Sequence, residues 1–141
     1  MSEKITLLDS SYYKVGKSKT GLGLFAQKDI EKGKWIIEYI GHRLNNEEVE
    51  GKTTKYLFEI NDSITIDGSP RWNKARYINH SCRCGNAESD IIEDKVYIKA
   101  RKKIKAGEEI TYNYGKAYFN EFIKPLGCLC TTCQKKRSNQ T

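Results

Sequence analysis

The sequence predicts a mainly β fold, a β-rich α+β domain assembled from small sheets. Short runs dense in β-branched and aromatic residues recur between residues 14 and 115, and glycines punctuate them. No strand alternates regularly with a long helix, which argues against a doubly wound nucleotide-binding fold.

The strand-like runs are, in order, WIIEYI (35–40), KYLFEI (55–60), SITID (63–67), KVYIKA (95–100) and EEITY (108–112). The stretch EIND places turn chemistry between the second and third, predicting a hairpin across 55–67. In LNNEEVEG (44–51) an Asn cap precedes acidic residues and Gly51 closes the stretch, predicting one short helical turn. SPRWNKARYINH (69–80) has no clear period and reads as a helical turn or an ordered loop. The glycines of TGLGL (20–24) read either as a hairpin turn or as a close approach of backbone to a ligand. They lack the third glycine and the strand–helix setting of a dinucleotide fingerprint. KAYFNEFIKPLG (116–127) predicts a short helix stopped before Pro125, followed by CLCTTC and a polar basic tail. The expected organisation is an N-terminal segment (1–13), a core (14–115), an appendage (116–133) and a tail (134–141).

An internal echo runs through the core. Ala26-x-Lys28-x-Ile30-x-x-Gly33-x-x-Ile36 returns as Ala100-x-Lys102-x-Ile104-x-x-Gly107-x-x-Ile110. Convergence of two similar β-turns and a true repeat both account for it.

At 141 residues the chain has the length of one domain, and 38% hydrophobic with 30% charged residues suits a globular protein. No apolar run approaches the roughly 20 residues that span a bilayer, so no membrane association is expected. The N-terminus lacks the apolar stretch of a secretory signal, and an intracellular location follows as an expectation, cytoplasmic or nuclear. A net charge of +7 favours acidic partners, nucleic acid first, although scattered Lys and Glu also fit a plain solvated surface.

Of five cysteines, Cys128, Cys130 and Cys133 sit within six residues. Three thiolates do not complete a tetrahedral zinc site, so the fourth must come from Cys82 or Cys84. The expected set is Cys82, Cys128, Cys130 and Cys133, with Zn2+ stapling the tail to the NHSC stretch. Tyr39, Tyr56, Tyr112 and Tyr114 fall at strand ends. A channel of such rings attracts a cation and, by excluding water, disfavours an ammonium, whose reference pKa is about 10.4 for lysine. Each ring taken alone reads as ordinary β-core tyrosine. In Tyr112-Asn-Tyr114, however, both rings point to one side of a strand. Ser81, His80 and Asp67 make a poor hydrolase triad, because sequence neighbours rarely present nucleophile and base to each other.

Taken in order, these segments resemble the SET-domain family of protein lysine methyltransferases. GLGLFA (21–26), ARYINHSC (75–82) and GEEITYNYG (107–115) are similar to its three main motifs, and EYIG, KYLF and IDGS fall where it has similar strings. CLCTTC resembles the family's zinc-binding post-SET segment, and the likeness covers about residues 14–133. The resemblance implies a SET fold of short sheets with a C-terminal pseudoknot, and S-adenosylmethionine as methyl donor. Gly21, Leu22 and Gly23 would line the donor pocket; Arg76, Asn79 and His80 would hold the donor; Leu129 would cover it. Tyr114 matches the catalytic tyrosine, and Tyr39 and Tyr56 match channel tyrosines. Tyr112 stands at a Phe/Tyr switch, where a hydroxyl implies mono- or dimethylation. The expected partner is a protein presenting a lysine, a histone tail among the candidates. The compact form is similar to viral or bacterial members, for which the nucleus would be a host's. The competing reading is a non-catalytic, zinc-stapled basic module that contacts nucleic acid or chromatin. The joint presence of Asn79, His80 and Tyr114 weighs against it. For a basic substrate, Glu47, Glu48, Glu50, Glu59 and Asp62 are expected to line the peptide groove.

Overall fold

The computed structural model describes residues 5–18, 21–52, 54, 56–81 and 85–113. Ten strands and one short helix follow each other as β1 (Tyr13–Ser18), β2 (Gly21–Ala26), β3 (Trp35–Tyr39), β4 (His42–Leu44), α1 (Asn46–Glu50), β5 (Leu57–Glu59), β6 (Thr65–Asp67), β7 (Asn79–His80), β8 (Ala87–Ile92), β9 (Lys95–Ala100) and β10 (Glu109–Tyr112). They form three small sheets in the orders β1-β2-β10-β7, β3-β9-β8 and β4-β6-β5. The mainly β expectation holds, and no helix among the described residues is long and apolar enough to cross a membrane. The expected 116–127 helix, the cysteine tail and the expected C-terminal pseudoknot fall on the chain beyond 113, outside the described residues.

The elements form where the sequence placed their chemistry. β5 and β6 pair antiparallel with Phe58 opposite Ile66, as the 55–67 hairpin required. Asn61 Oδ1 accepts from the backbone N–H groups of Ser63 and Ile64, at 2.8 and 3.0 Å, and so fixes their turn. In α1, Asn45 and Glu48 form a reciprocal capping box. The ambiguous 69–80 stretch is both things at once: a 3-10 turn at Lys74–Tyr77, then the two residues of β7. The glycines 21 and 23 lie within strand β2 of the β1–β2 hairpin, not in its turn.

The echo becomes a geometric relation. Ile30 and Ile104 exchange backbone hydrogen bonds at 2.7 and 2.8 Å. Gly33 N–H donates to Ala100 O at 2.9 Å, and Gly107 N–H to Ala26 O at 2.8 Å. Both glycines take a positive φ, +88° and +92°, that a side chain would strain. The correspondence of Ile30 with Ile104, an offset of 74, extends well beyond the recurring residues. β1–β2 pairs from Tyr13↔Ala26 to Ser18↔Gly21, and β8–β9 pairs from Ala87↔Ala100 to Ile92↔Lys95, residue for residue at that offset. An approximate two-fold axis therefore relates β1-β2-β10 to β8-β9-β3, until a bulge between Trp35 and Ile37 breaks the register. The core draws on both halves: Leu24, Ile30, Ile36, Ile78, Val96, Ile98, Ile104 and Ile110 are fully buried.

Candidate active site

The site sits where β10 changes partner. Glu109 and Ile110 pair antiparallel with Phe25 and Leu24 of β2. Thr111 and Tyr112 then pair in parallel with Asn79 and His80 of β7. Three separate motifs are thereby laid side by side, and the Asn79 side chain ties them. Its Nδ2 donates to Glu109 Oε2 at 2.7 Å, to Leu22 O at 3.1 Å and to Ser18 Oγ at 3.2 Å.

Gly23 lies against this knot. A Cβ built there would fall 2.5 Å from Glu109 Oε2 and 3.2 Å from Asn79 Nδ2, so any side chain would have to displace the carboxylate. At Gly21, where φ is +119°, a Cβ would meet nothing within 4 Å, and Leu22 is about half exposed (51%). The GLG strand is thus packed on one side and open on the other. An exposed backbone edge beside a carboxamide fits a ligand such as S-adenosylmethionine, which carries both hydrogen-bond donors and a carboxylate.

His80 is half-buried, and burial pushes its imidazole below the ordinary value, leaving it neutral at pH 7. Tyr112, opposite it, is buried.

The second part of the site is a set of tyrosines. Tyr39 is buried at the end of β3, and its hydroxyl donates to the Tyr56 carbonyl at 2.7 Å. That carbonyl also accepts from Gly68 N–H at 2.8 Å. Gly68 has no room for a side chain, since a Cβ would reach within 2.5 Å of the Tyr39 hydroxyl. The Tyr56 ring stacks on the Arg76 guanidinium, whose carbon lies 4.3 Å from the ring centroid. Among the described residues the Arg76 guanidinium meets the rings of Tyr56 and Tyr77.

The structure thus places Gly21, Leu22, Gly23, Asn79, His80 and Tyr112 about the β2–β10–β7 junction and joins Tyr39 and Tyr56 to Arg76. Tyr114, Leu129, Cys82, Cys84, Cys128, Cys130 and Cys133 lie outside the described residues. Of the expected groove acids, Asp62 is drawn to α1 by a 2.9 Å bond from Asn46 Nδ2 to its carbonyl, bringing it near Glu47, Glu48 and Glu50.

Several supports were not anticipated. Asn73, fully buried, donates to Gly68 O at 3.0 Å and accepts from Ile40 N–H at 3.2 Å, pinning the 66–69 turn to the end of β3. Gly41 permits the same closure, because a Cβ there would collide with Asp67 O. Burial raises the pKa of the Asp67 carboxyl, but hydrogen bonds from the Ser69 backbone and hydroxyl, with Lys52 and His42 nearby, outweigh it and hold the carboxyl below its usual value. Asn86 donates to Glu109 O at 2.8 Å and accepts from Thr111 N–H at 3.0 Å, standing in for a missing strand beside β10. Glu109 carried the one available signal: an acid at the start of a strand whose next residue, Ile110, is core.

Comparison with known proteins identifies the family. The SET domain model matches residues 21–115. Histone-lysine N-methyltransferase 2D of Homo sapiens is 38% identical over 129 residues, covering 82% of this chain and 2% of its own length. Histone-lysine N-methyltransferase ASHH3 of Arabidopsis thaliana is 36% identical over 132 residues, covering 84% of this chain and 36% of its own. A crystal structure of the Chaetomium thermophilum polycomb repressive complex 2 superimposes with a TM-score of 0.66 at 34% identity, over 74% of this chain and 15% of that one. The chain therefore spans only a small part of these relatives.

Proposed function

The chain belongs to the SET-domain family, and from that premise we propose that it transfers a methyl group from S-adenosylmethionine to the side-chain amine of a protein lysine. The observation that carries the reading is the Asn79 knot. One carboxamide holds the GLG strand, the Glu109 carboxylate and the NH segment together, beside a backbone edge with open space. S-adenosylmethionine, when bound, supplies an electrophilic methyl group on a sulfonium.

The chain's own groups do the rest. Gly21, Leu22 and Gly23 let the backbone approach the donor. Asn79 and neutral His80 hold its polar ends. Tyr39 and Tyr56 wall a passage that admits a lysine stem and excludes water, which favours the neutral, nucleophilic amine. Tyr114 orients that amine and stabilises charge as it develops. Tyr112 limits the product to mono- or dimethyl-lysine.

The substrate is a basic protein segment, a histone tail first, because the named relatives are histone-lysine methyltransferases. The acids around α1 attract it, and the site of action is the nucleus. Zn2+ on Cys82, Cys128, Cys130 and Cys133 belongs to the same proposal, since four thiolates are a standard structural zinc set.

The test is transfer of labelled methyl to a histone panel and a proteome extract, comparing wild type with Tyr114→Phe. The mutant should lose on the order of a hundredfold or more in rate while still binding donor. Full signal in the mutant would remove Tyr114 from its role. A wild type that fails to bind donor in calorimetry overturns the enzyme reading altogether.

A further inference from the structure

The Arg76 guanidinium is held between the rings of Tyr56 and Tyr77. Its guanidinium carbon lies 4.3 Å from the Tyr56 ring centroid and 5.1 Å from that of Tyr77, and Nη1 donates to the Tyr77 hydroxyl at 3.2 Å. Nε is buried with no hydrogen-bond partner. None of the ion pairs among the described residues includes Arg76. The guanidinium charge is thus held by ring faces, with no carboxylate paired to it among the described residues. Of the elements packed against its turn, β2 carries no titratable side chain, and β3 carries Tyr39 inward with Glu38 on the opposite face. Lys74 on the same turn is a like charge and is exposed.

Such a charge has two candidate beneficiaries. The donor's sulfonium is itself a cation and gains nothing from it; its carboxylate would gain, and donor affinity measured beside the pH profile separates the two. A lysine ammonium beside it is destabilised relative to the neutral amine, and the neutral amine is the form that attacks. Tyr56 carries the stacked guanidinium on its ring and the Tyr39 hydroxyl on its carbonyl. The charge is therefore built into the pair of tyrosines that walls the lysine passage.

We propose that Arg76 is a positioning residue for the substrate and not for the donor: its unneutralised guanidinium, stacked on Tyr56, lowers the proton affinity of the amine entering past Tyr39 and Tyr56, so that the ammonium releases its proton to water before transfer. The proposal rests on the methyltransferase reading above.

The test is the pH dependence of single-turnover transfer to histone-tail peptides at saturating S-adenosylmethionine, with donor affinity measured in parallel by calorimetry. In Arg76→Gln the rising limb should move to higher pH by about one unit or more, costing roughly tenfold or more at pH 7 and recovering on the alkaline side. Arg76→Lys should keep the limb near its wild-type position, and donor affinity should change less than about threefold in both. An unmoved limb in a folded Arg76→Gln overturns the proposal, as does a large loss of donor affinity with the limb in place. Should Arg76→Gln not fold, the wild type still decides, with a peptide whose lysine is replaced by the less basic aminoethylcysteine. Its limb should move toward acid, and a limb indifferent to the amine's basicity refutes the inference. A wild type that transfers to no lysine at any pH refutes the underlying reading, which is a distinct outcome.

Discussion

Replacing Gly23 with alanine separates a donor site from a merely tight strand junction. The added Cβ would stand 2.5 Å from Glu109 Oε2, and ordinary contact begins at 3.4 Å. The backbone is held in register by the full length of β1, so the carboxylate is what yields, by about 0.9 Å. Its 2.7 Å bond to Asn79 Nδ2 then stretches beyond hydrogen-bonding range. A hydrogen bond to a charged group is worth about 1.5–3 kcal/mol, so if that bond aims Asn79 at the donor, affinity falls by roughly tenfold to a hundredfold. Global stability should change much less. Gly→Ala in a strand gains about 0.5–1 kcal/mol of backbone entropy, against the loss of one bond at a partly open site. Calorimetric titration with S-adenosylmethionine and a thermal melt should therefore part company. Glu109→Ala supplies the control: with the carboxylate gone, the additional cost of Gly23→Ala should largely vanish in a double-mutant cycle. A folded Gly23→Ala protein that binds donor within threefold of wild type would refute the idea that the knot serves the donor.

Four further outcomes follow from the same geometry. Tyr112→Phe removes the hydroxyl at the switch position and should raise the product from mono- or dimethyl to trimethyl-lysine in mass spectra; a wild type that already yields mainly trimethyl-lysine contradicts it. His80 has a folded pKa below its unfolded value, so its stabilising contribution is complete above about pH 6.5 and is lost as pH falls through the folded pKa. The melting temperature should therefore drop on acidification below that point, and less so in His80→Gln; parallel curves for the two proteins would exclude His80 as the cause. A strong chelator should weaken donor binding and release about one zinc per chain in a colorimetric assay, and Cys130→Ser should behave like the chelated protein; full donor affinity without metal removes the staple. Reversing Glu47 and Asp62 to lysine should raise KM for a basic peptide several-fold with little change in kcat, and an unchanged KM would clear the α1 side of substrate contact.

The sequence made the strands legible where β-branched and aromatic runs meet clear turn residues, as in 55–67, or where a cap announces a helix, as at Asn45. It left β1, β2, β4 and β8 unseen; in β8, AESDII faces solvent with charges and offers too few buried positions to alternate. β7 is two residues long, and no local pattern can announce a strand that exists only because β10 pairs with it. In the site, residues recognisable by type and order were found, among them Asn79, His80 and the tyrosines. Their supports were not, because Asn73, Asn86 and Gly68 act through contacts to backbone that lies elsewhere in the chain. Asn73 joins Ile40 to Gly68, and nothing in WNKA states that its carboxamide is fully buried. Arg76 shows the converse: its position in the motif is plain, but its partners are visible only in three dimensions.

The two-fold relation explains how one half of the fold makes room for the Asn79 knot. At the offset of 74, Gly23 corresponds to Tyr97 and Glu109 to Trp35. In the β8-β9-β3 half these two positions are filled by rings in an edge-to-face contact, with centroids 6.0 Å apart, and Lys99 lies over Trp35 at 5.0 Å. In the β1-β2-β10 half the same two positions hold a glycine and a carboxylate, and Asn79 enters the volume the rings would occupy. The hairpins share their register pair by pair, so hairpin pairing does not distinguish the halves; side-chain volume at two positions does. The second difference is the partner that β10 takes past Ile110, where β3 instead has its bulge. Emptying one pair of positions and admitting β7 beside it are together sufficient to bring the GLG, NH and tyrosine segments to one place. This is why three weak motifs, widely separated in the chain, carry their meaning only in combination.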